Sequence, residues 1–214
     1  VNKIWRDARL KGAGIKRART LVTAAEHSIG NTEAPRSARK EIRNLLEDYE
    51  GYKKRMDELM EEIEKTLSEI PYIDKLMEIN GIGIKAVSCF IAEVGDIGRF
   101  DNPKQVQKLA GYSIVADSSG KHKGESRISH RGRTRLRYAL YEATISVIGK
   151  NKEFKEIHSY YRTREKNPLK KMQSVIAVAC KLIRIFYTIL TKGVDYDGQK
   201  MLNDIVRPEI QPAA

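Results

Sequence analysis

A heptad repeat from Ala38 to Ile70 constrains the fold more than any other part of the sequence. Apolar residues recur there at alternating steps of three and four, with mostly charged residues between them. Such spacing is typical of a long coiled-coil helix, because the 3.5-residue period keeps one apolar stripe facing a partner helix. Pro35 precedes the repeat and Pro71 ends it. The apolar positions are Ile42, Leu45, Tyr49, Tyr52, Met56, Leu59, Ile63 and Ile70, with polar Thr66 before the last.

The partner of this helix decides the assembly. We expect pairing between protomers, which makes the protein a homo-oligomer, a dimer or higher, through the coiled-coil helix. The alternative is a single amphipathic helix that lies on its own domain.

The rest of the pattern predicts a mostly α fold. Apolar stripes indicate helices from Arg133 to Ile148 and from Lys152 to Lys166, and a helix apolar almost all round from Met172 to Leu190, ending at Gly193. A shorter helix is expected from Pro103 to Gly111, and "YSIVA" and "ESRIS" predict one short β-hairpin. The predicted segments are an N-terminal helical segment (1–35), the coiled-coil helix (36–70), a helical domain (71–197) and a loose tail (198–214).

Gly81 and Gly83 stand between two helical stretches, and Lys85 opens the second. This arrangement predicts a helix-hairpin-helix, in which glycines allow close approach of the backbone and the N–H groups of the second helix bind a phosphate. Such a hairpin grips the nucleic-acid backbone without reading sequence. A weaker echo begins at Gly12. For both turns the alternative is a plain interhelical connection.

The charge balance favours a polyanionic partner. Lys and Arg number 40 against 28 Asp and Glu, which gives a formal net charge of +12 and a pI near 9.6. No apolar run reaches the roughly 18 residues of a spanning helix, and no signal peptide is evident. We therefore expect a cytoplasmic protein that binds DNA and no membrane. Cys89 and Cys180 lie within apolar helical patterns, which predicts buried free thiols, and no metal site is predicted.

A basic segment follows Ser118 and Ser119. Between Ser119 and Arg137 there are seven basic side chains and one acid, Glu125, which together supply half of the formal net charge. We expect it to bind phosphates, and neighbouring cations could activate Ser119 as a nucleophile. His130 and Arg133 form a His-x-x-Arg pattern with Tyr160 and Tyr161 downstream, as in tyrosine recombinases, which is a weaker alternative. The seven basic residues are Lys121, Lys123, Arg127, Arg131, Arg133, Arg135 and Arg137.

Short motifs follow one another in a specific order and spacing between Ile79 and Ala143. They are Gly81-Ile82-Gly83, Gly95-Asp96-Ile97-Gly98-Arg99-Phe100, Leu109-Ala110-Gly111, Ser119-Gly120, Gly124, Ile128-Ser129 and Leu136-Arg137. Together they resemble the C-terminal transposase domain of insertion-sequence transposases, and the resemblance continues more loosely to Asp197. These transposases pair an RNase-H-like DEDD domain with a catalytic serine and are also called bridge-RNA-guided recombinases.

By position, the resemblance implies that Ser119 is the nucleophile that attacks a DNA phosphodiester, and that Lys121, Lys123 and Arg127 contact phosphates. It further implies magnesium held by four acids of an RNase-H-like domain, and a guide RNA as a further partner. No acidic, β-rich segment with these acids occurs in this sequence, which opens at Val1. We therefore expect a fragment that binds DNA and does not recombine it alone, with no cofactor of its own. Two rival functions stay open: a non-catalytic helix-hairpin-helix module and a structural coiled-coil adaptor.

Overall fold

The computed structural model of the chain describes residues 14–29, 35–119 and 122–203. Over these residues the fold is mostly helical with one two-stranded sheet, as predicted. The contacts divide the chain into two compact units, Val1–Glu58 and Leu59–Ala214. The elements are α1 (Gly14–Glu26), α2 (Pro35–Ser68), α3 (Ile73–Met77), α4 (Ile84–Val94), a 3₁₀ turn (Ile97–Arg99), α5 (Pro103–Leu109), β1 (Ile114–Ser119), β2 (His122–Ile128), α6 (Thr134–Lys150), α7 (Lys152–Thr163), α8 (Lys171–Lys192) and α9 (Gly198–Asn203).

The heptad repeat forms the single continuous helix α2, and its apolar seam is exposed from Ile42 to Leu59. Each seam side chain in this stretch has an exposed fraction between 57% and 67%. Exposure of a regular apolar stripe is what an unpaired coiled-coil strand would show. Pairing between protomers stays a prediction.

Beyond Leu59 the seam changes its spacing and joins the core of the second unit. Leu67 is buried, Ile63 and Ile70 pack partly against the core, and Thr66 is exposed with its hydroxyl donating to the Glu62 carbonyl. Two successive steps of four, from Leu59 to Ile63 to Leu67, follow the 3.6-residue period of a helix on a globular core. The prediction that Thr66 belongs to the apolar seam was therefore wrong. In this last turn Leu67 is the buried residue instead.

Helix α8 is the central element of the second unit, as the sequence predicted. It packs against α3, α5, α6 and α7, and Gly193 ends it in the left-handed conformation with φ of 62°. Phe186 of α8 meets Phe90 of α4 edge to face, with ring centroids 5.0 Å apart. Each large side chain buried here contributes about 1.5–3 kcal/mol of transfer free energy.

One described helix is long and apolar enough to cross a membrane by length and composition, although Lys181 and Arg184 interrupt its apolar residues and no continuous apolar run reaches 18. Lys171–Lys192, which is α8, meets that test by length and composition. Half of its apolar window is buried inside the unit, among the core residues just described. A core helix passes the test because burial on most sides demands the same apolar composition as lipid does.

The tail predicted to be loose from residue 198 begins instead with a short helix, α9. Met201 and Leu202 are buried, and α9 packs against α7. These two adjacent apolar residues attach the start of the tail to the core. The sequence analysis missed them because Pro208 and Pro212 indicated an unstructured tail. Both cysteines are free thiols, as predicted, but each is only half-buried.

Candidate nucleic-acid interface

The serine segment forms the predicted β-hairpin, and Ser119 lies at its tip. β1 ends at Ser119, β2 begins at His122, and these two residues are paired across the antiparallel ladder. Gly120 and Lys121 lie outside the described residues. The five residue steps from Ile114 to Ser119, at about 3.3 Å each, carry Ser119 about 17 Å away from the start of the strand.

A bulge near the tip changes which residues share a face of the hairpin. Ala116 pairs with Ser126 and Ser118 with Lys123, so that two residues of β2 stand opposite Asp117 alone. Because faces alternate along β1, Ser119 belongs to the face of Val115, whose partner is Arg127. The register therefore groups position 119 with 127, and position 118 with 123.

Close backbone contact fixes the base of the hairpin. The Ser129 N–H donates to the Ser113 carbonyl at 2.7 Å, and the Arg133 N–H donates to the Leu109 carbonyl at 2.7 Å. A Cβ added at Gly132 would lie 2.6 Å from the amide nitrogen of Gly111, so only glycine allows this approach. Gly111 itself has φ of 77°, a conformation that other residues rarely adopt. The base is therefore clamped to the end of α5.

Two arginines of the basic segment hold this base together. The Arg137 guanidinium donates to the Ala110 carbonyl at 3.3 Å and to the His130 carbonyl at 3.2 Å. Arg133 donates to the backbone carbonyl of Glu93 on α4 and lies 3.7 Å from its carboxylate. Phosphate contact by Arg133 stays a prediction, but this guanidinium already has intramolecular partners.

The other predicted phosphate-binding cations differ in exposure and in their partners within the chain. Arg127, Arg131 and Arg135 are exposed. Arg131 and Arg135 have no ion pair with another described residue, whereas Arg127 has a partner within the chain. For Lys123 the structure gives only its place in β2. The basic segment thus exposes fewer uncommitted charges than its composition suggested.

Gly81 packs against α6 in the predicted helix-hairpin-helix turn. Its φ is 100°, and an added Cβ would lie 2.9 Å from the Val147 Cα. The Ser146 hydroxyl donates to the Gly81 carbonyl at 2.7 Å. This glycine is therefore required by helix packing, a role that the sequence analysis missed because the contact joins residues far apart in the chain.

Gly83 differs from Gly81, because an added Cβ would meet nothing within 4 Å. It precedes α4 in an extended conformation, with φ of −129°. Lys85 follows in the first turn of α4, and its ammonium lies 3.9 Å from the Glu142 carboxylate. Together with Asn80, Cys89 and α6 these residues line an open cleft of about 350 Å³. The open approach at Gly83 suits the predicted backbone contact, which stays a prediction.

Other titratable groups near the interface are structural. Burial raises the pKa of the Tyr112 hydroxyl, which donates to the Arg137 carbonyl at 3.0 Å. Burial also raises the pKa of the Cys180 thiol to about 11. Over the described residues no three His, Cys, Asp or Glu side chains come together as metal ligands. The described residues therefore offer no set of ligands for magnesium.

Comparison with known proteins gives a consistent result. Residues 73–161 match the sequence model of the IS116/IS110/IS902 transposase family. A candidate transposase of Sinorhizobium fredii, y4rJ, is 27% identical over 136 residues, which are 62% of this chain and 34% of that protein. The pilin gene-inverting proteins of Moraxella bovis and Moraxella lacunata are each 30% identical over 125 residues, 57% of this chain and 38% of theirs.

The chain spans only about a third of the length of these relatives. The family match includes the turn at Gly81, the whole hairpin and its clamped base. The chain is thus similar to transposases and to pilin gene-inverting proteins over this part of its length.

Proposed function

We propose that this chain is the DNA-binding, C-terminal part of an insertion-sequence transposase and supplies Ser119 as the nucleophile for strand cleavage and rejoining. One observation carries the proposal: Ser119 ends a strand that projects from a clamped base within the transposase match. A hydroxyl at the hairpin tip lies about 17 Å from the start of the strand, where it could meet a duplex that docks beside the hairpin.

The proposed reaction exchanges one phosphoester bond for another. The Ser119 Oγ loses its proton and attacks the phosphorus, which forms a phosphoserine bond and breaks one P–O bond of the strand. The departing DNA oxygen takes up a proton and leaves as a hydroxyl. Rejoining reverses these steps with a different DNA hydroxyl. Arg127 is on the same face of the hairpin but about 13 Å back from Ser119, so in this proposal it would contact a neighbouring phosphate of the same strand.

The turn before α4 supplies a second, sequence-independent contact in this proposal. The amides of Ile84 and Lys85 begin a helix, where backbone N–H groups and the helix dipole favour an anion. The side chain of Lys85 is well exposed and can reach the same phosphate. Together the turn and the hairpin would hold one duplex by its backbone.

The complete protein has further parts in the proposal. The exposed seam of α2 would pair with the same seam of a second protomer. An RNase-H-like domain outside this chain would hold magnesium through its acids, and a guide RNA would select the DNA. The chain by itself is expected to bind DNA in the cytoplasm and to leave it uncut.

A covalent-adduct assay tests the nucleophile. The protein extended by the proposed RNase-H-like domain is mixed with labelled donor DNA, magnesium and RNA transcribed from its own element, and then separated on a denaturing gel. Ser118→Ala is the matched control, because Ser118 is the neighbouring hydroxyl in the same strand. We expect an adduct that is absent in Ser119→Ala and kept in Ser118→Ala.

The other outcomes separate the rival functions. An adduct that survives both substitutions would exclude Ser119 and direct attention to Tyr160 or Tyr161. Intact DNA binding without any adduct would favour the non-catalytic helix-hairpin-helix module. Affinity for duplex DNA that does not change with salt would favour a structural adaptor, since phosphate contacts always release counterions.

A further inference from the structure

A second group of cations lies at the turn between α7 and α8, away in sequence from the basic segment of the hairpin. From Arg162 to Lys171 the chain has five basic residues and one acid, Glu165. Four of the five side chains are exposed. These four, Arg162, Lys166, Lys170 and Lys171, are called the α7–α8 ridge below.

The turn that carries the ridge is held by specific contacts. The Arg164 guanidinium packs over the Tyr161 ring at 5.6 Å, and its Nε donates to the Asn167 carbonyl at 2.8 Å. The Leu169 N–H donates to the Tyr161 carbonyl at 2.8 Å. Asn167 takes the left-handed conformation, with φ of 55°. The fifth cation, Arg164, thus serves the turn, and the other four are presented from a folded scaffold.

The two ends of the ridge converge on one histidine. The buried Ser174 hydroxyl of α8 lies 2.8 Å from Nδ1 of His158 on α7 and joins the two helices. Arg162 lies one turn after His158 along α7, and Lys171 lies just before Ser174 on α8. Burial and then the charges of Arg162 and Lys171 lower the pKa of His158, so both cations are near the same ring.

The ridge keeps its charges without internal compensation. Over the described residues no carboxylate lies within 4.0 Å of these four cations, in contrast to Arg133, which faces Glu93. Like charges gathered on a folded surface repel one another and reduce stability unless a polyanion binds them. A polyanion that binds these four cations would relieve that repulsion.

We propose that the α7–α8 ridge is a second phosphate-backbone surface, which binds a nucleic-acid segment in addition to the one held by the hairpin. The ligand chemistry is the phosphodiester backbone of a duplex, of DNA or RNA. An anionic membrane fits less well, because Met172 is the one large apolar side chain of 162–172 that the structure shows as strongly exposed. The inference rests on the proposed function for its class of partner.

Charge-neutral variants of the full chain test the ridge. The first replaces all four cations by Gln (R162Q, K166Q, K170Q and K171Q). The matched control removes four exposed lysines elsewhere in the same unit: K104Q, K108Q, K192Q and K200Q. A third variant, R131Q with R135Q, reports on the hairpin side. Affinity is measured for one duplex sequence, made as DNA and as RNA, over a series of salt concentrations.

We expect the ridge variant to bind more weakly. Its slope of log affinity against log salt should fall by up to about 3.6, because each neutralised phosphate contributes about 0.9 to that slope. The control should keep the wild-type slope. A larger loss of affinity for the RNA duplex than for DNA would assign the ridge to RNA, and the reverse to DNA. Circular dichroism checks that the variants fold. If the fourfold variant unfolds, the double variant K166Q with K170Q replaces it, and its salt slope should fall by about 1.8.

The failures of the two proposals are distinguishable. If the ridge variant keeps wild-type affinity and slope while R131Q with R135Q weakens both, the ridge inference is wrong and the proposed function stands. If affinity is insensitive to salt for all proteins, the proposed function is wrong as well. Equal reductions in the ridge variant and its control would show general charge attraction and would overturn a specific surface. Binding of the ridge to vesicles with 30% phosphatidylserine but to neither duplex would replace nucleic acid by a membrane.

Discussion

The backbone of Gly132 lies so close to that of Gly111 that a Cβ at position 132 would be 2.6 Å from the Gly111 amide nitrogen. These two glycines come from opposite sides of the hairpin, one before β1 and one after β2. Their contact closes the hairpin at its base. The placement of Ser119 therefore depends on residues that take no part in chemistry.

Gly132→Ala should destabilise the second unit by about 1–3 kcal/mol, because the backbones at its base must separate. Gly149→Ala is the matched control: that glycine lies in α6 and an added Cβ would meet nothing within 4 Å. The control should be neutral or stabilising by up to about 1 kcal/mol. Urea unfolding followed by circular dichroism measures both, and equal stabilities would contradict the close contact.

Gly81→Ala and Gly83→Ala should separate packing from phosphate approach. The first should destabilise the fold by about 1–3 kcal/mol, because the new Cβ meets the Val147 backbone and φ is positive. The second should leave stability within about 0.5 kcal/mol of wild type and weaken DNA binding, because the methyl group stands where a phosphate would approach. Thermal melts and a DNA titration distinguish them. Unchanged DNA binding in Gly83→Ala would argue against the helix-hairpin-helix contact.

Arg133→Gln and Arg135→Gln should differ although the residues are two apart. Removal of the Arg133 interactions with Glu93 should lower stability by about 1 kcal/mol. Arg135 is exposed, and its substitution should keep stability and reduce the salt slope of DNA binding by about 0.9. A salt slope that falls in Arg133→Gln alone would reverse these roles.

His158 should make stability depend on pH. Its pKa is lowered in the fold, first by burial and then by Arg162 and Lys171, from the ordinary value of 6.5. The unfolded chain therefore binds more protons, so the free energy of unfolding is highest above about pH 6.5 and falls as pH drops from there toward the lowered value. Urea melts between about pH 5 and 8 should show this fall in wild type and a smaller one in His158→Gln. A rise in stability on acidification would contradict the direction of the shift.

Local signals predicted the elements well, because capping, turn and periodicity rules act over a few residues. Pro103, Gly111 and Gly193 stand where helices begin or end as expected. The helix at 172–190 was predicted from its apolar surface. The same composition also makes this helix apolar enough to cross a membrane by length and composition. Features that depend on a few neighbouring residues could therefore be predicted from the sequence.

Contacts between distant residues were beyond the sequence. The basic segment appeared as a uniform row of charges, but Arg133 and Arg137 turn back to backbone carbonyls of α4 and α5. Gly81 appeared as a phosphate-binding residue, and its close neighbour Val147 is 66 positions away in the chain. Gly132 carried no signal of its own, because its need for glycine arises from a backbone that folds against it. Tertiary packing decided these roles.

Because the hairpin is held at its base, a small rotation there displaces its tip by a larger distance than it displaces the base. With an arm of about 17 Å, a tilt of about 5° at the base would displace the tip by about 1.5 Å. A displacement of about 1 Å can slow an aligned reaction by about a hundredfold. If Ser119 is the nucleophile, as proposed, the contact at Gly132 sets the direction of the hairpin, and the remaining alignment would have to come from the DNA or protein that binds its tip. Accuracy at the tip would then be acquired only when the substrate and its partners are in place, which would couple cleavage to complete assembly.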